Sequence, residues 1–167
     1  MPVQKLKAFL DEQATRYVVI QHSPAYSAQE VAAFAHIPGK ELAKTVMVKL
    51  DGQMAMAVVP ASHRVDLDRL REAAGASEVA LSSEAEFRGL FPNCDLGAMP
   101  PFGNLWNMPV YVSSALAEDV EIAFSAGSHA EVVRLAYEDY NQLVEPTVAS
   151  FSIKSLPGPP RERSDIE

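Results

Sequence analysis

The stretch ELAKTVMVKLDGQMAMAVVP, residues 41–60, predicts a β-hairpin. Asp51-Gly52 is a preferred pair for a two-residue type I′ turn, because both central positions of that turn need a positive φ. This turn pairs Leu50 with Gln53 and, counting back along the strands, Lys44 with Val59. Because side chains alternate between the faces of a strand, the hairpin has two faces of different character.

One face of the hairpin carries a lysine in a row that is otherwise small and apolar. The row consists of Lys44, Val46, Val48, Leu50, Ala55, Ala57 and Val59. A lysine at a strand end often lays its methylenes over apolar surface and keeps its ammonium in water. Alternatively, Lys44 projects into a pocket where its charge is partly desolvated and its donors bind a ligand. The hairpin alone leaves both readings open.

The other face of the hairpin is apolar enough to be core or interface. It carries Thr45, Met47, Met54, Met56 and Val58. We expect a helix to cover it, because the sheet of an α/β fold is usually covered on at least one face. The oligomeric state is left open.

Length and composition predict one globular domain. The chain has 167 residues, of which 48% are apolar and 22% charged. No run of about 18 apolar residues is present to span a membrane. The N-terminal stretch MPVQKLKAFLDEQ has the pattern of an amphipathic helix and lacks the apolar h-region of a secretory signal peptide. The single cysteine, Cys94, excludes an internal disulfide and suits a reducing compartment, so a cytoplasmic location is expected.

The charge distribution limits any contact with nucleic acid. A net charge of −8 argues against a broad basic face. Residues 1–64 carry seven basic and five acidic side chains, whereas residues 111–145 carry one basic and seven acidic. Nucleic acid is therefore expected to approach only the N-terminal part, over a small footprint.

The remaining patterns predict a single mixed α/β (α+β) domain with a mixed sheet and covering helices. Helices are predicted at 3–13, after the capping box Ser27–Glu30, between Asp66 and Gly75, after the box Ser83–Glu86, and from a third box, Ser128–Glu131, to Pro146. Strands are predicted at 17–21, 43–60, 110–113, 120–126 and 147–153. The domain is assigned to residues 1–153, and the composition of 154–167 predicts a disordered tail.

The segment 92–109 differs in kind from the rest of the chain. It holds four prolines and two glycines in eighteen residues, so neither a long helix nor a regular strand is expected. Long irregular loops inside compact domains are uncommon and are often functional.

Several familiar catalytic sites are excluded by their missing residues. The four histidines, His22, His36, His63 and His129, lack metal-ligand spacing. Cys94 stands beside Asp95, which disfavours a thiolate. Neither a nucleophile elbow nor a phosphate-binding loop is present. We therefore expect no metal, no cofactor and no covalent catalyst.

Gly127-Ser128-His129 is the remaining polar candidate. It lies between a predicted strand and a predicted helix, so backbone N–H groups and a hydroxyl would converge at a helix N-terminus. Such a place receives anions or developing negative charge. Ser128 alternatively does no more than cap its helix.

Four motifs in a fixed order resemble the YbaK and prolyl-tRNA-synthetase-associated editing-domain superfamily. They are HSPAYSAQEVA, KTVMVKLDG, GAMPPFG and AGSHAEVVRLAYEDY, and together the resemblance covers roughly residues 17–147. Members of that family are aminoacyl-tRNA deacylases. They hydrolyse the ester of a wrongly charged tRNA, commonly tRNA-Pro carrying a smaller amino acid.

The resemblance implies a role for each matching position. Lys44 matches the essential lysine that contacts the terminal adenosine and the reacting end. The loop from Gly97 to Gly103, with Pro101 and Phe102, matches the loop whose backbone amides hold the aminoacyl carbonyl.

Two further segments match the rim and lining of the same pocket. Gly127, Ser128 and His129 match a glycine-serine-histidine turn that lines it. His22 and Tyr26 match an early segment at its rim.

The function implied is that of a free-standing trans-editing deacylase acting on the acceptor end of a mischarged tRNA. Water attacks the ester while backbone N–H groups stabilise the oxyanion, assisted by the terminal 2′-hydroxyl of the tRNA. Val46, Val48, Ala55 and Ala57 would wall a modest cavity that admits Ala, Ser, Thr or Cys, without separating them. An aminoacyl-tRNA synthetase is a second candidate partner.

Two other functions stay open at this point. A tRNA- or synthetase-binding module could keep the fold without turnover. An enzyme could instead use Lys44 as a Schiff-base amine, since buried lysines can serve in that way.

Overall fold

The structure, a computed structural model, describes residues 3–155. The predicted tail falls largely on residues 156–167, which lie outside the described residues, while Lys154 ends the last strand. Six α-helices are present in the described part: α1 Gln4–Glu12, α2 Ala28–Ala35, α3 Leu67–Ala74, α4 Glu84–Phe87, α5 Ser114–Ala117 and α6 Tyr137–Val144.

Ten strands accompany these helices within residues 3–155. They are β1 Val18–Gln21, β2 Leu42–Leu50, β3 Gln53–Pro60, β4 His63–Val65, β5 Val79–Leu81, β6 Val110–Ser113, β7 Glu121–Ser125, β8 Glu131–Ala136, β9 Thr147–Ala149 and β10 Ser152–Lys154. The predicted mixed α/β class is confirmed, although the predicted last strand is two short strands and β4 and β5 were not predicted.

The β2–β3 hairpin has the predicted register. Leu50 pairs with Gln53 and Lys44 with Val59. Asp51 and Gly52 have φ of 50° and 85°, as a type I′ turn requires.

The sheet is mixed and places β2 near its centre. Its strand order is β1-β8-β7-β2-β3-β6-β9, with β5 paired to the outer half of β2, while β4 and β10 form a separate ribbon. β2 runs parallel to β7 and antiparallel to β3. The start of β2, including Lys44, is therefore flanked by strands on both sides.

A third capping box does not open a helix, which corrects the sequence prediction. Glu131 begins strand β8, and helix α6 starts only at Tyr137. Val132 and Val133 are fully buried on opposite faces of the sheet, between β1 and β7. Burial on both faces and β-branched side chains favour a central strand over the local helix signal.

The two faces of the hairpin are covered by different elements. Met47, Met56 and Val58 are buried in a cluster with Leu6 and Leu10 of α1, which confirms the expected helical cover. The opposite face packs against Leu70 of α3 and Phe151. None of the helices within residues 3–155 combines the length and apolar character needed to cross a membrane.

Candidate active site

Lys44 is half-buried near the start of β2, on the face that also carries Val46. Its Nζ donates a hydrogen bond to the carbonyl oxygen of His63 at 2.8 Å. Because Ala43 pairs with Phe124 on β7, Lys44 stands one step further along, beside the end of β7. The backbone of Lys44 thus lies beside the end of β7, and its ammonium is held at the carbonyl of His63.

A chain of side chains fixes the carbonyl that receives Lys44. The hydroxyls of Ser113 and Ser152 are 2.6 Å apart, and Ser152 Oγ lies 2.8 Å from His63 Nδ1. Burial lowers the pKa of His63, and the nearby Lys154 and Lys44 lower it further. The imidazole is therefore neutral at pH 7 and adds no charge next to the Lys44 ammonium.

The apolar row beyond Lys44 is core, which corrects the expected cavity wall. Val48, Ala55 and Ala57 are 0% exposed and pack against Leu70 and Phe151. These three side chains cannot line a cavity that a substrate enters. Val46 is half-buried and is the member of the expected wall that keeps some solvent access.

A tight turn at residues 126–130 joins β7 to β8, and we call this end of the β7–β8 hairpin the turn end. The correction of β8 also removes the predicted helix N-terminus at Ser128. Its Oγ instead accepts from Ala130 N at 3.3 Å and donates to Glu131 Oε1 at 3.3 Å. No helix dipole acts here, so any anion stabilisation must come from individual donors.

The first half of the 92–109 loop docks onto the turn end. Asp95 N donates to Gly127 O and Gly127 N to Ala98 O, both at 2.8 Å. Asp95 Oδ2 accepts from His129 N at 3.2 Å. Gly127 has a φ of 102°, and a Cβ there would lie 2.9 Å from Val3 Cβ, so glycine is required.

Gly97 lies at the exposed tip of this docked segment. Its φ is 87°, and a Cβ added there would come within 3.8 Å of His129 Cε1. The loop and the glycine-serine-histidine turn therefore lie against each other.

The early segment, residues 22–26, contacts the turn end through two backbone hydrogen bonds. His22 N donates to Ala130 O and Ala25 N to His129 O, each at 2.9 Å. Tyr26 is 74% exposed, and its ring lies 4.8 Å from that of His129, centroid to centroid. His22 and Tyr26 thus border the turn end.

The second half of the loop is buried, which corrects the roles expected for three residues. Phe102 is 0% exposed and contacts the rings of Phe124 and Tyr140, with centroids 5.3 Å away in each case. The buried Pro101 accepts from Tyr140 Oη at 2.7 Å through its carbonyl oxygen. A Cβ on the buried Gly103 would lie 2.7 Å from Met108 O. Pro101, Phe102 and Gly103 therefore anchor the loop in the core and do not face a substrate.

The residues at the turn end enclose an open cavity of about 290 Å³. It is lined by Gln21, His22, Ser128, Ala130 and Glu131. Glu131 is only 3% exposed. Sequence reasoning missed Glu131 and Asp95, because Glu131 was read as part of a capping box and Asp95 only as a neighbour of Cys94.

A larger cavity, about 380 Å³, lies at the opposite end of the hairpin, which we call the open end. It is lined by Lys40, Glu41, Glu118, Asp119, Val120, Glu121 and Ala136. Four carboxylates surround it, so it repels phosphates and is a poor place for the end of a tRNA. None of the site residues expected from the sequence lies there.

Cys94 has the character expected of a structural thiol. Burial, with a smaller contribution from Asp95, raises the pKa of its thiol to about 11. The thiolate is scarce at neutral pH, which argues against a nucleophilic role.

Comparison with known families shows the family to which the chain belongs. The family model of the aminoacyl-tRNA editing domain matches residues 22–143, which include the hairpin, the loop and the turn end. The chain belongs to the aminoacyl-tRNA editing domain family.

Similar proteins include proline–tRNA ligases. That of Bacillus cytotoxicus is 33% identical over 94 residues, which cover 56% of this chain and 14% of the ligase. That of Bacillus mycoides is 29% identical over 92 residues, covering 55% of this chain and 16% of the ligase. The chain thus spans only a small part of the length of these relatives.

Solved structures share the fold at low sequence identity. A crystal structure of a hypothetical protein matches with a TM-score of 0.80 and 19% identity, over 90% of this chain and 100% of the other. A protein provisionally described as a trans-editing enzyme for prolyl tRNA synthetase matches with a TM-score of 0.75 and 19% identity, over 90% of this chain and 96% of the other.

Proposed function

We propose that this domain is an aminoacyl-tRNA deacylase that acts in trans, hydrolysing the ester of a tRNA mischarged with a small amino acid. The observation that supports the proposal is the contact of three separate segments at the turn end, in a chain of the editing-domain family and with the start of β2 beside the end of β7. The three segments are the early segment at His22, the loop at Gly97 and the turn at His129, and we assign Lys44 on β2 to the same site.

The proposed reaction needs no covalent catalyst. Water attacks the ester carbonyl, and the leaving group is the ribose hydroxyl of the terminal adenosine. Backbone N–H groups of the docked loop around Gly97 stabilise the oxyanion, and Lys44 contributes positive charge for the terminal nucleotide. The terminal 2′-hydroxyl of the tRNA assists the attack.

Substrate selection is assigned to the turn-end cavity and not to the alanine row. A volume of about 290 Å³ suits a small amino acid. tRNA-Pro is the first candidate substrate, because proline–tRNA ligases are among the relatives. Only the acceptor end docks, so the acidic open end stays clear of the polyanion.

The proposal is tested by incubating the purified chain with tRNA-Pro charged separately with Ala, Ser, Thr, Cys and Pro. We expect loss of at least one small amino acid with Pro spared. Lys44→Ala should slow that loss by about 10²–10³-fold, the usual cost of removing one charge-stabilising donor.

Lys49→Ala is the matched control, because Lys49 lies on the same strand and the opposite face, paired with Glu86. It should retain activity, and both variants should keep the melting temperature within a few degrees. Tight tRNA binding without hydrolysis of any charged species, over a wider panel of tRNAs, would contradict the proposal and favour a non-catalytic binding module.

A further inference from the structure

The carbonyl that holds the Lys44 ammonium lies on a short ribbon and not on the main sheet. Lys44 Nζ donates to the carbonyl oxygen of His63, the first residue of β4. β4 and β10 form a separate two-stranded ribbon in which each strand is three residues long. A two-stranded ribbon is marginally stable by itself, so contacts with the rest of the fold set its position.

Two hydroxyl groups join this ribbon to the main sheet. Ser152 Oγ on β10 lies 2.8 Å from His63 Nδ1 and 2.6 Å from the Oγ of Ser113, the last residue of β6. Ser113 is 1% exposed, and its Oγ also accepts from Ala115 N at 3.2 Å. A buried hydroxyl with both contacts satisfied is a rigid reference point, and Ser152 connects it to His63.

The ends of β10 have anchors that do not involve the side chain of Ser152. Phe151 is 0% exposed, and its carbonyl oxygen accepts from Asp66 N at 2.7 Å. Ser155 N donates to the carbonyl oxygen of Ser62 at 2.9 Å. Removal of the Ser152 hydroxyl should therefore leave the ribbon attached to the domain while loosening the link to the main sheet.

A lysine acts at one defined place only when its ammonium has a fixed acceptor. The ammonium of Lys44 is carried on a flexible four-carbon stem, which leaves many positions open to it. A displacement of about 1 Å at a reacting centre can cost about 100-fold in rate. The position of the His63 carbonyl therefore matters for any reaction that uses Lys44.

We propose that Ser152 is a positioning residue for Lys44, acting through His63, so that strand β10 completes the active site. This inference rests on the proposed function. The family model matches residues 22–143, so β10 lies outside the part of the chain that the family comparison covers.

The first test follows the Lys44 ammonium and needs no substrate. NMR measures the exchange of its protons with water, and Lys44→Ala identifies the signal. Ser152→Ala should speed this exchange about fivefold, as expected when the hydrogen bond to His63 is weakened. Ser152→Thr keeps the hydroxyl and should restore the wild-type rate. Unchanged exchange in Ser152→Ala would overturn the proposal.

The second test asks whether the effect on hydrolysis passes through Lys44. In single-turnover deacylation of mischarged tRNA, Ser152→Ala should slow the wild-type reaction about tenfold. In the Lys44→Ala background it should slow the reaction less than about twofold, because no ammonium is left to position. Ser155→Ala keeps the backbone bond to Ser62 and is the matched control, which should match wild type. Equal slowing by Ser152→Ala in both backgrounds would refute a role through Lys44.

His63→Ala breaks the same link from the other side and leaves the backbone carbonyl in place. It should reproduce the faster exchange and the dependence on Lys44, so the proposal can be decided even if Ser152→Ala fails to fold. A wild-type chain that hydrolyses no charged tRNA would refute the proposed function, while the exchange measurement still decides whether Ser152 holds Lys44. Normal hydrolysis in both Ser152→Ala and His63→Ala would refute the positioning role alone.

Discussion

The two ends of the β7–β8 hairpin offer cavities of similar size and opposite design. At the turn end, Glu131 is 3% exposed and accepts a hydrogen bond from Ser128 Oγ, and backbone hydrogen bonds join two other segments to residues 127–130. At the open end, Asp119 has a buried Oδ2 without a hydrogen-bond partner among residues 3–155, and its other oxygen is 3.9 Å from Lys40.

The difference is the reason why we place the proposed site at the smaller of the two cavities. The larger cavity is assembled from neighbouring strand ends and carries mainly one sign of charge. At the smaller cavity, hydrogen bonds hold the early segment and the 92–109 loop, which are distant in sequence, against the turn between β7 and β8. Fixed geometry is what catalysis needs, because small displacements of reacting groups are costly.

The largest expected effect comes from breaking the anchor of the turn end. Phe102→Ala should lower the free energy of unfolding by about 3–5 kcal/mol, because it removes a fully buried ring from the core. Chemical denaturation measures the change. Phe34→Ala is the control, since Phe34 is 47% exposed on α2, and it should cost far less. A loss below about 1 kcal/mol for Phe102→Ala would mean that the ring does not anchor the loop.

An intermediate effect is expected from loosening the loop without touching the core. Asp95→Ala removes the acceptor for His129 N and should lower kcat/KM for deacylation by about 10–100-fold, with about 1 kcal/mol lost in stability. Asp95→Asn keeps an acceptor oxygen and should restore most of the activity. If only the turn end takes part in catalysis, Asp119→Ala at the open end should leave kcat/KM unchanged. Equal losses for Asp95→Ala and Asp119→Ala would refute this difference between the two ends.

The smallest effect is expected at the open end, as a dependence of stability on pH. Burial raises the pKa of Asp119, and Lys40 only partly offsets this. A carboxyl whose pKa is higher in the folded state opposes folding once the pH exceeds the pKa of the unfolded chain. Asp119→Asn should therefore stabilise the protein at pH 7 by less than about 1 kcal/mol.

The gain from Asp119→Asn should shrink as the pH falls and vanish below the ordinary carboxyl pKa, where both forms are neutral. Urea unfolding at pH 7 and pH 3 checks this sign. A variant less stable than wild type at pH 7 would show that Asp119 is held by favourable contacts that outweigh its desolvation.

The parts of the fold predicted correctly from sequence have strong local signals. Asp51-Gly52 determined the hairpin register, and Asp66, Gly75 and Ser83 marked helix ends as expected. Ser128 and Glu131 carried an equally clear helix signal and gave the wrong answer, because β8 is paired on both sides and buried on both faces.

For the candidate site, sequence identified the segments but not which side chains face the cavity. The loop motif combines an exposed tip at Gly97 with an anchor at Phe102, and only burial separates them. The alternation of the hairpin put Ala55 and Ala57 on the face of Lys44, but the cover of that face by Leu70 and Phe151 comes from distant parts of the chain.

The sequence by itself determined the hairpin, most helix ends, the mixed α/β class and the four motifs of an editing domain, because each depends on residues close together in the chain. The tertiary structure alone decided that Glu131 enters a strand, that Asp95 holds His129, and that His22 and Glu131 share a cavity wall. Those facts depend on burial and on long-range strand pairing, whose free energy outweighs the local preference of a few residues.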